Sequence, residues 1–98
     1  MRIKVELRRE VVRYVRHQCS LGERTEFFEQ LERIKLDPIT NSEATVDLEL
    51  SRYILRFFRF GQKIAVFQFD PANDRVVIRL CRTTKRIERR RRATDEPP

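Results

Sequence analysis

The sequence predicts an α+β domain in which an N-terminal helix hairpin packs on an antiparallel meander sheet of about four strands. Apolar residues recur at helical spacing through the first 36 residues, with a break near Gly22. Runs with strand character follow, separated by turn signals. Helices that precede strands without alternating with them are typical of α+β layers and not of a parallel α/β sheet.

The first segment fits two patterns. Ile3, Val5 and Leu7 alternate as in a half-buried strand, yet Ile3, Leu7 and Val11 also fit one face of a helix. From Leu7 onward, apolar residues three or four apart indicate a first helix, which Ser20-Leu21-Gly22 is expected to break. We expect a short strand before this helix, with a helix from the start as the alternative.

A second helix is predicted from about Glu23 to Leu36. Its apolar stripe consists of Phe27, Phe28, Leu31 and Ile34. Asp37-Pro38 ends the helix, because the residue before a proline is pushed out of the helical region. Two helices joined by so short a break are expected to pack as a hairpin over the sheet.

Four strands are predicted after a loop at 41–43. They are Ala44–Leu50, Tyr53–Phe60, Lys63–Phe69 and Arg75–Cys81. Gly61 supplies the backbone freedom for a tight turn, and the five residues 70–74 suit a longer hairpin loop. On the last strand, alternation assigns Ile78 and Leu80 to one face and Arg79 and Cys81 to the other.

Charge indicates the class of partner. The chain of 98 residues carries a formal net charge of +7, which favours a polyanionic or acidic partner. Most of the excess lies in residues 75–98, where nine Lys or Arg stand against three Asp or Glu. Residues 1–92 are expected to form a single domain, and residues 93–98, which are acidic and end in proline, a frayed tail.

Several classes of protein are excluded by the residues that are missing. No run approaches the roughly 18 uncharged apolar residues of a membrane span, and the first ten residues lack the apolar region of a signal peptide, so we expect a cytoplasmic protein without a membrane partner. Cys19 and Cys81 have no CxxC spacing and only one His beside them, so we expect reduced thiols, no metal site and no cofactor. His17 is expected on the surface. No paired carboxylates, P-loop or nucleophile elbow is present.

Arginines inside the apolar strands are the candidate functional residues. A guanidinium is costly to bury unpaired, so Arg56 and Arg79 either pair with carboxylates such as Asp47 or Glu49, or line a cleft that holds a phosphate. The basic residues 85–92 would attract nucleic-acid phosphates, and would equally suit an acidic protein partner. If the protein performs chemistry, Arg and Lys would stabilise charge on a phosphoryl transition state.

The order of short strand, helix hairpin, Asp-Pro break and meander resembles the RelE/ParE toxin superfamily of bacterial type II toxin–antitoxin systems. The likeness is strongest in RFFRFGQKIAVFQFD (56–70) and RVVIRLCRTTKR (75–86). The resemblance implies a RelE-like fold, a cognate antitoxin as protein partner, and RNA or the ribosome as target. Members that cleave mRNA commonly have a Tyr or His near the C-terminal end for proton transfer, whereas residues 83–98 contain neither.

Carried over residue by residue, the resemblance places Arg56 or Arg59 at the family's strand arginine, and Arg79 and Arg82 in the basic end of the last strand. We therefore predict Arg56, Arg79 and Arg82 as catalytic residues. Nucleic-acid contacts are predicted for Arg59, Lys63, Lys85, Arg86, Arg89 and Arg90.

Three functions fit these observations. The first is a RelE-like toxin that acts on translation by ribosome-associated mRNA cleavage. The second is a non-catalytic protein of the same fold that inhibits gyrase or binds nucleic acid. The third is a small basic domain for protein interaction, unrelated to the family.

Overall fold

The computed structural model describes residues 3–44 and 54–83. In chain order its elements are β1 (Lys4–Leu7), α1 (Arg9–Gln18), α2 (Leu21–Leu36), β2 (Glu43–Ala44), β3 (Ile54–Phe60), β4 (Lys63–Asp70) and β5 (Arg75–Thr83). These residues form a sheet in the order β1-β5-β4-β3-β2, with α1 against β5 and α2 against β3. The predicted α+β class and helix hairpin are confirmed. The predicted strand over 44–50 lies outside the described residues beyond Ala44, as do residues 84–98.

Strand β1 makes the sheet mixed. It pairs parallel with β5, with Val5 opposite Val76 and Leu7 opposite Ile78, while β2 to β5 pair antiparallel. The short strand expected before α1 is therefore confirmed, but the sheet gains a fifth strand that the predicted antiparallel meander lacked. Alternation of apolar residues shows that a segment is a half-buried strand, but it does not show which strand the segment pairs with. The partner strand depends on which edge of the sheet is left open.

The break between the helices is shorter than predicted. The Ser20 hydroxyl accepts a hydrogen bond from the Glu23 amide at 3.1 Å, and the Glu23 carboxylate accepts one from the Ser20 amide at 2.9 Å. This reciprocal pair is a capping box, which starts α2 at Leu21 and places Gly22 inside the helix. The prediction that Leu21 and Gly22 break the helix is wrong, because Ser20 is the N-cap and α2 begins directly after it.

Phenylalanines from α2 and β3 form the centre of the core. The ring of Phe27 lies 5.0 Å from that of Phe60 and 5.7 Å from that of Phe58, measured between centroids. Around them pack Val11, Val15, Cys19, Leu31, Ile34, Ala65, Phe67, Phe69, Val76 and Ile78. Each large apolar side chain buried in this way stabilises the fold by about 1.5–3 kcal/mol. Phe28, predicted in the apolar stripe, is instead 53% exposed, because the next residue of a helix points about 100° away.

Strand β5 contains a β-bulge at Arg79. Phe67 pairs with Ile78, but the preceding Val66 pairs with Leu80, so Arg79 has no partner in the register. An extra residue reverses the alternation that follows it. Leu80 therefore leaves the helix-covered face, and Cys81 joins it beside the core. The predicted faces of Leu80 and Cys81 are wrong for this reason.

Both predicted hairpin turns are present. Gly61 adopts a φ of +58° between β3 and β4, a conformation that a residue with a side chain rarely adopts. Between β4 and β5, Pro71–Asn73 form a short 3-10 turn, and Asp74 closes it with a φ of 49°. These turns set the register that brings the basic side chains of neighbouring strands together.

Candidate functional site

The sheet face that the helices leave uncovered carries three of the five predicted site residues that the structure describes. We call it the open face. Its members are Lys4, Glu6, Leu55, Phe57, Arg59, Ile64, Val66, Gln68, Asp70, Arg75, Val77, Arg79, Leu80 and Arg82. Apolar side chains occupy its centre, and arginines lie toward both ends of the strands. An apolar centre with a basic margin suits a ligand that has both apolar and anionic parts.

Arg82 and Arg59 lie at the end of the open face nearest Gly61. Ile64 is the register partner of both, so the two arginines stand two strands apart, at about 10 Å between Cα atoms. The Arg59 guanidinium contacts the Glu43 carboxylate at 3.0 Å and lies 5.7 Å from the centroid of the Phe57 ring. Because the Arg59–Glu43 pair is half exposed, it contributes at most about 1 kcal/mol and can exchange for another anion.

Arg79 lies in a cleft on the same face. Its guanidinium donates to the Gln68 amide oxygen at 2.6 Å. The cleft has a volume of about 120 Å³ and is lined by Arg8, Gln68, Asp70, Arg75, Val77 and Arg79. The bulge at Arg79 adds a residue to β5 beside this cleft, and bulges of this kind redirect side chains near functional sites.

Arg8 lines the same cleft, although no pattern in the sequence indicated it. It follows β1, and its backbone amide donates to the Ile78 carbonyl at 3.2 Å, which brings it beside Arg79. Glu6 and Arg75, which join β1 to β5, are sixty-nine residues apart in the sequence. Local spacing therefore could not reveal that Arg8 lies near β5. Glu6 holds Arg75 at 2.7 Å, and this hydrogen bond is the main reason that the pKa of Glu6 is lowered.

Arg56 lies on the opposite side of the sheet from Arg79 and Arg82. Its guanidinium donates to the Ser42 hydroxyl, to the Ser42 carbonyl at 2.8 Å and to the Ile39 carbonyl at 3.2 Å. These bonds tie the loop after α2 to β3. Asp47 and Glu49, the carboxylates predicted as partners, lie outside the described residues. The catalytic role of Arg56 stays a prediction. Its hydrogen bonds give it a structural role, because they hold the loop after α2 against β3.

Lys63 also lies on the helix-covered face. Its ammonium contacts the Glu23 carboxylate at 3.2 Å, and the two side chains are only 13% and 17% exposed. Burial alone would lower the pKa of Lys63, but the hydrogen bond and charge of Glu23 outweigh it and raise that pKa. The structure thus places Lys63 under the first turn of α2. Its predicted nucleic-acid contact stays a prediction, as do those of Lys85, Arg86, Arg89 and Arg90 in the undescribed part.

The described part of the open face has no Tyr or His, and the carboxyl groups of its members are those of Glu6 and Asp70. Tyr14 and His17 belong to α1, which covers the other face. Within residues 3–44 and 54–83, no three His, Cys, Asp or Glu side chains are grouped so that they could hold a metal ion. No helix in these two ranges is long and apolar enough to cross a membrane.

Comparison of the coordinates with known structures identifies the architecture. A chain of the archaeal RelE–RelB complex from Pyrococcus horikoshii OT3 matches with a TM-score of 0.71, over 88% of this chain and 99% of that one. The chain has the RelE fold. At 16% sequence identity, the likeness is one of fold. No protein-family model and no curated protein sequence matches the chain.

The RelE fold confirms the architecture that the sequence resemblance implied. Of the described residues with a predicted role, Arg59, Arg79 and Arg82 share the open face. Arg56 and Lys63 lie on the other face, each held by its own partner. The candidate site is therefore the open face of the sheet, with Arg8 added to it and Arg56 and Lys63 supporting it from behind.

Proposed function

We propose that this protein is a RelE-like toxin that acts on translation by ribosome-associated mRNA cleavage in the cytoplasm and is neutralised by a cognate antitoxin. One observation carries the proposal: three arginines predicted from the sequence converge on the open face of a RelE fold. A solved relative of this fold is the RelE–RelB complex, which supports a protein partner for this chain as well.

Arg82 would act on the scissile phosphate, and Arg79, about 10 Å away along β5, would hold the RNA backbone. Negative charge develops on the phosphoryl oxygens when a phosphodiester is attacked, and a preorganised guanidinium stabilises it. The planar fork of Arg suits two phosphate oxygens at once. Gln68 holds Arg79 at 2.6 Å and so orients it before a substrate binds. The arginines of the open face would thus supply electrostatic stabilisation of the attacked phosphate.

The test is induction of the protein in cells, with growth followed and mRNA 5′ ends mapped. We expect growth arrest together with new 5′ ends in translated regions. Arg82→Ala should remove most of both effects, by about 10²-fold or more if one charge-stabilising group is lost. Arg13→Ala is the matched control, because Arg13 is equally exposed but lies on α1, away from the open face.

A non-catalytic toxin that inhibits gyrase is the second candidate. It is favoured by one observation, the lack of Tyr or His on the described part of the open face. The same induction separates the two candidates, since growth arrest without new 5′ ends would contradict mRNA cleavage. Cleavage of DNA in those cells would then favour gyrase as the target.

The antitoxin is tested separately. A neighbouring reading frame that encodes a DNA-binding domain with an acidic segment is expected, since acidic residues complement the net charge of +7. Its co-expression should restore growth and co-purify with the protein. If such a frame is absent or fails to restore growth, the antitoxin part of the proposal is contradicted and the small interaction domain becomes the better explanation.

A further inference from the structure

The cleft on the open face holds positive charge that its neighbours do not neutralise. Arg8, Arg75 and Arg79 line it together with one carboxylate, Asp70. The Glu6 carboxylate forms an ion pair with Arg75 at 2.7 Å, so the charge of Arg75 is already neutralised. Among the described residues, neither Arg8 nor Arg79 makes an ion pair. Two guanidinium groups that line the same cleft repel each other unless an anion lies between them.

Gln68 completes the donor set. Arginine has only donors, so the atom of Gln68 that lies 2.6 Å from the Arg79 guanidinium must be the amide oxygen. The amide NH₂ of Gln68 is then left to donate to a ligand in the cleft. Two guanidinium groups and an amide thus meet around a space of about 120 Å³. An anion with several acceptor oxygens satisfies all three groups.

We propose that Arg8, Gln68 and Arg79 form a subsite for one phosphate of single-stranded RNA, separate from the phosphate bound near Arg82. The inference rests on the proposed function for the identity of the ligand. Arg79 and Arg82 are three residues apart on β5, which corresponds to about 10 Å along the strand. A strand of RNA that follows β5 would therefore place one backbone phosphate at each end of the central apolar patch.

The apolar patch between the two phosphates supports RNA over a free anion. Phe57, Val66 and Leu80 occupy successive strands in one row of the register between the cleft and Arg82. Bases of a single strand stack on aromatic and apolar side chains without regard to sequence, whereas an isolated phosphate would gain nothing from them. The cleft would thus hold the backbone while the patch receives a base.

The experiment measures binding of a short fluorescent single-stranded RNA by the full chain between about 50 and 200 mM salt. For single strands, each phosphate contact contributes about 0.7 to the slope of log affinity against log salt. We expect Arg8→Ala to lower the slope by about 0.7 and Arg13→Ala to leave it unchanged. The Arg8 side chain makes no helix-capping hydrogen bond, so its removal should leave α1 intact.

A double variant tests whether the subsite is shared. If Arg8 and Arg79 hold the same phosphate, Arg8→Ala with Arg79→Ala should lower the slope by little more than either change alone. The subsite would be overturned if the two single variants lowered the slope additively in the double variant, or if Arg8→Ala left the slope unchanged. It would also be overturned if the wild type bound no RNA. Inorganic phosphate that binds the wild type as tightly as the RNA does would overturn the assignment of the subsite to RNA. None of these results depends on mRNA cleavage, so the subsite and the proposed function can fail independently.

Discussion

Lys63 and Glu23 form an ion pair of 3.2 Å where the β3–β4 turn meets the first turn of α2. Glu23 also closes the capping box with Ser20, and the neighbouring Glu26 accepts a hydrogen bond from the Gly61 amide at 2.7 Å. The start of the helix and the turn of the hairpin therefore stabilise each other. This junction supports the strands from behind the open face.

Replacing Glu23 with Gln should weaken the junction. The variant loses the charge that faces Lys63 and weakens the capping box, so we expect the free energy of unfolding to fall by about 1–2 kcal/mol. Urea denaturation measures it. Glu29→Gln is the control, because Glu29 lies exposed on the same helix, and its change should stay within about 0.5 kcal/mol. Equal losses in the two variants would contradict the role assigned to Glu23.

The stability of the junction should depend on pH. The hydrogen bond from the Ser20 amide, followed by that from Lys63, lowers the pKa of Glu23 below its ordinary value of 4.5. A carboxylate whose pKa is lower in the folded chain stabilises fully above its unfolded pKa, and the stabilisation is lost as pH falls through the folded pKa. The difference between wild type and Glu23→Gln should therefore be constant near neutrality and shrink below pH about 4.5. Urea midpoints measured across this range check it, and a difference that persists in acid would contradict it.

The two glycines should respond to alanine in opposite directions. A Cβ on Gly61 would lie 2.8 Å from Cγ of Glu23, and the φ of +58° is strained for any side chain. Gly61→Ala should therefore destabilise the protein by about 1–2 kcal/mol or more. Gly22 lies within α2, where an added methyl group would meet no heavy atom within 4 Å outside the helix backbone, so Gly22→Ala should stabilise by about 0.5–1 kcal/mol. Thermal unfolding of both variants checks the opposite signs.

Loss of Arg56 should lower the stability of the protein, whereas loss of Arg79 should lower its toxicity. Arg56→Ala removes three hydrogen bonds that tie the loop after α2 to β3, so it should lower the free energy of unfolding by about 1–3 kcal/mol. Arg79→Ala removes an exposed side chain and should change it by no more than about 0.5 kcal/mol while reducing toxicity. Urea denaturation and growth after induction measure the two effects. Similar stabilities for the two variants would contradict this division.

The thiol groups should be slow to react in the folded protein. Burial, and secondly the nearby Cys19, raise the pKa of Cys81 to about 12, and burial also raises the pKa of Cys19. Because only the thiolate is nucleophilic, alkylation of Cys81 at mildly alkaline pH should be at least about 100-fold slower than in urea. Mass spectrometry of iodoacetamide-treated samples checks it. Alkylation at equal rates in both conditions would show that Cys81 is exposed.

Local patterns predicted the elements well. The spacing of Phe27, Leu31 and Ile34 identified the buried side of α2. The start of α2 at Leu21 was also present in the sequence, since Ser20 and Glu23 have the spacing of a capping box. These features could be predicted because each depends on residues within one or two turns of the chain.

The candidate site could be predicted only in part. Arg79 was identified as an unusual charge in an apolar strand, and Arg82 was identified through the resemblance to the RelE/ParE superfamily. The bulge that rearranges the faces of β5 could not be predicted, because it depends on the register with β4. Arg8 was missed because nothing near it in the chain points to β5. Lys63 was assigned to nucleic acid through the resemblance to the RelE/ParE superfamily, and its sequence neighbours do not reveal Glu23, forty residues earlier, as its partner.

Spacing and composition along the chain were enough to predict the helices, most of the strands, the turns and the positive charge. They could not predict that β1 joins β5 in parallel, that Arg79 forms a bulge, or that Arg8 and Arg79 line the same cleft, and these features emerge only in the folded chain. Strand neighbours are chosen by which edges and faces remain to be covered once the chain collapses. That choice depends on the whole chain at once, and no local pattern contains it.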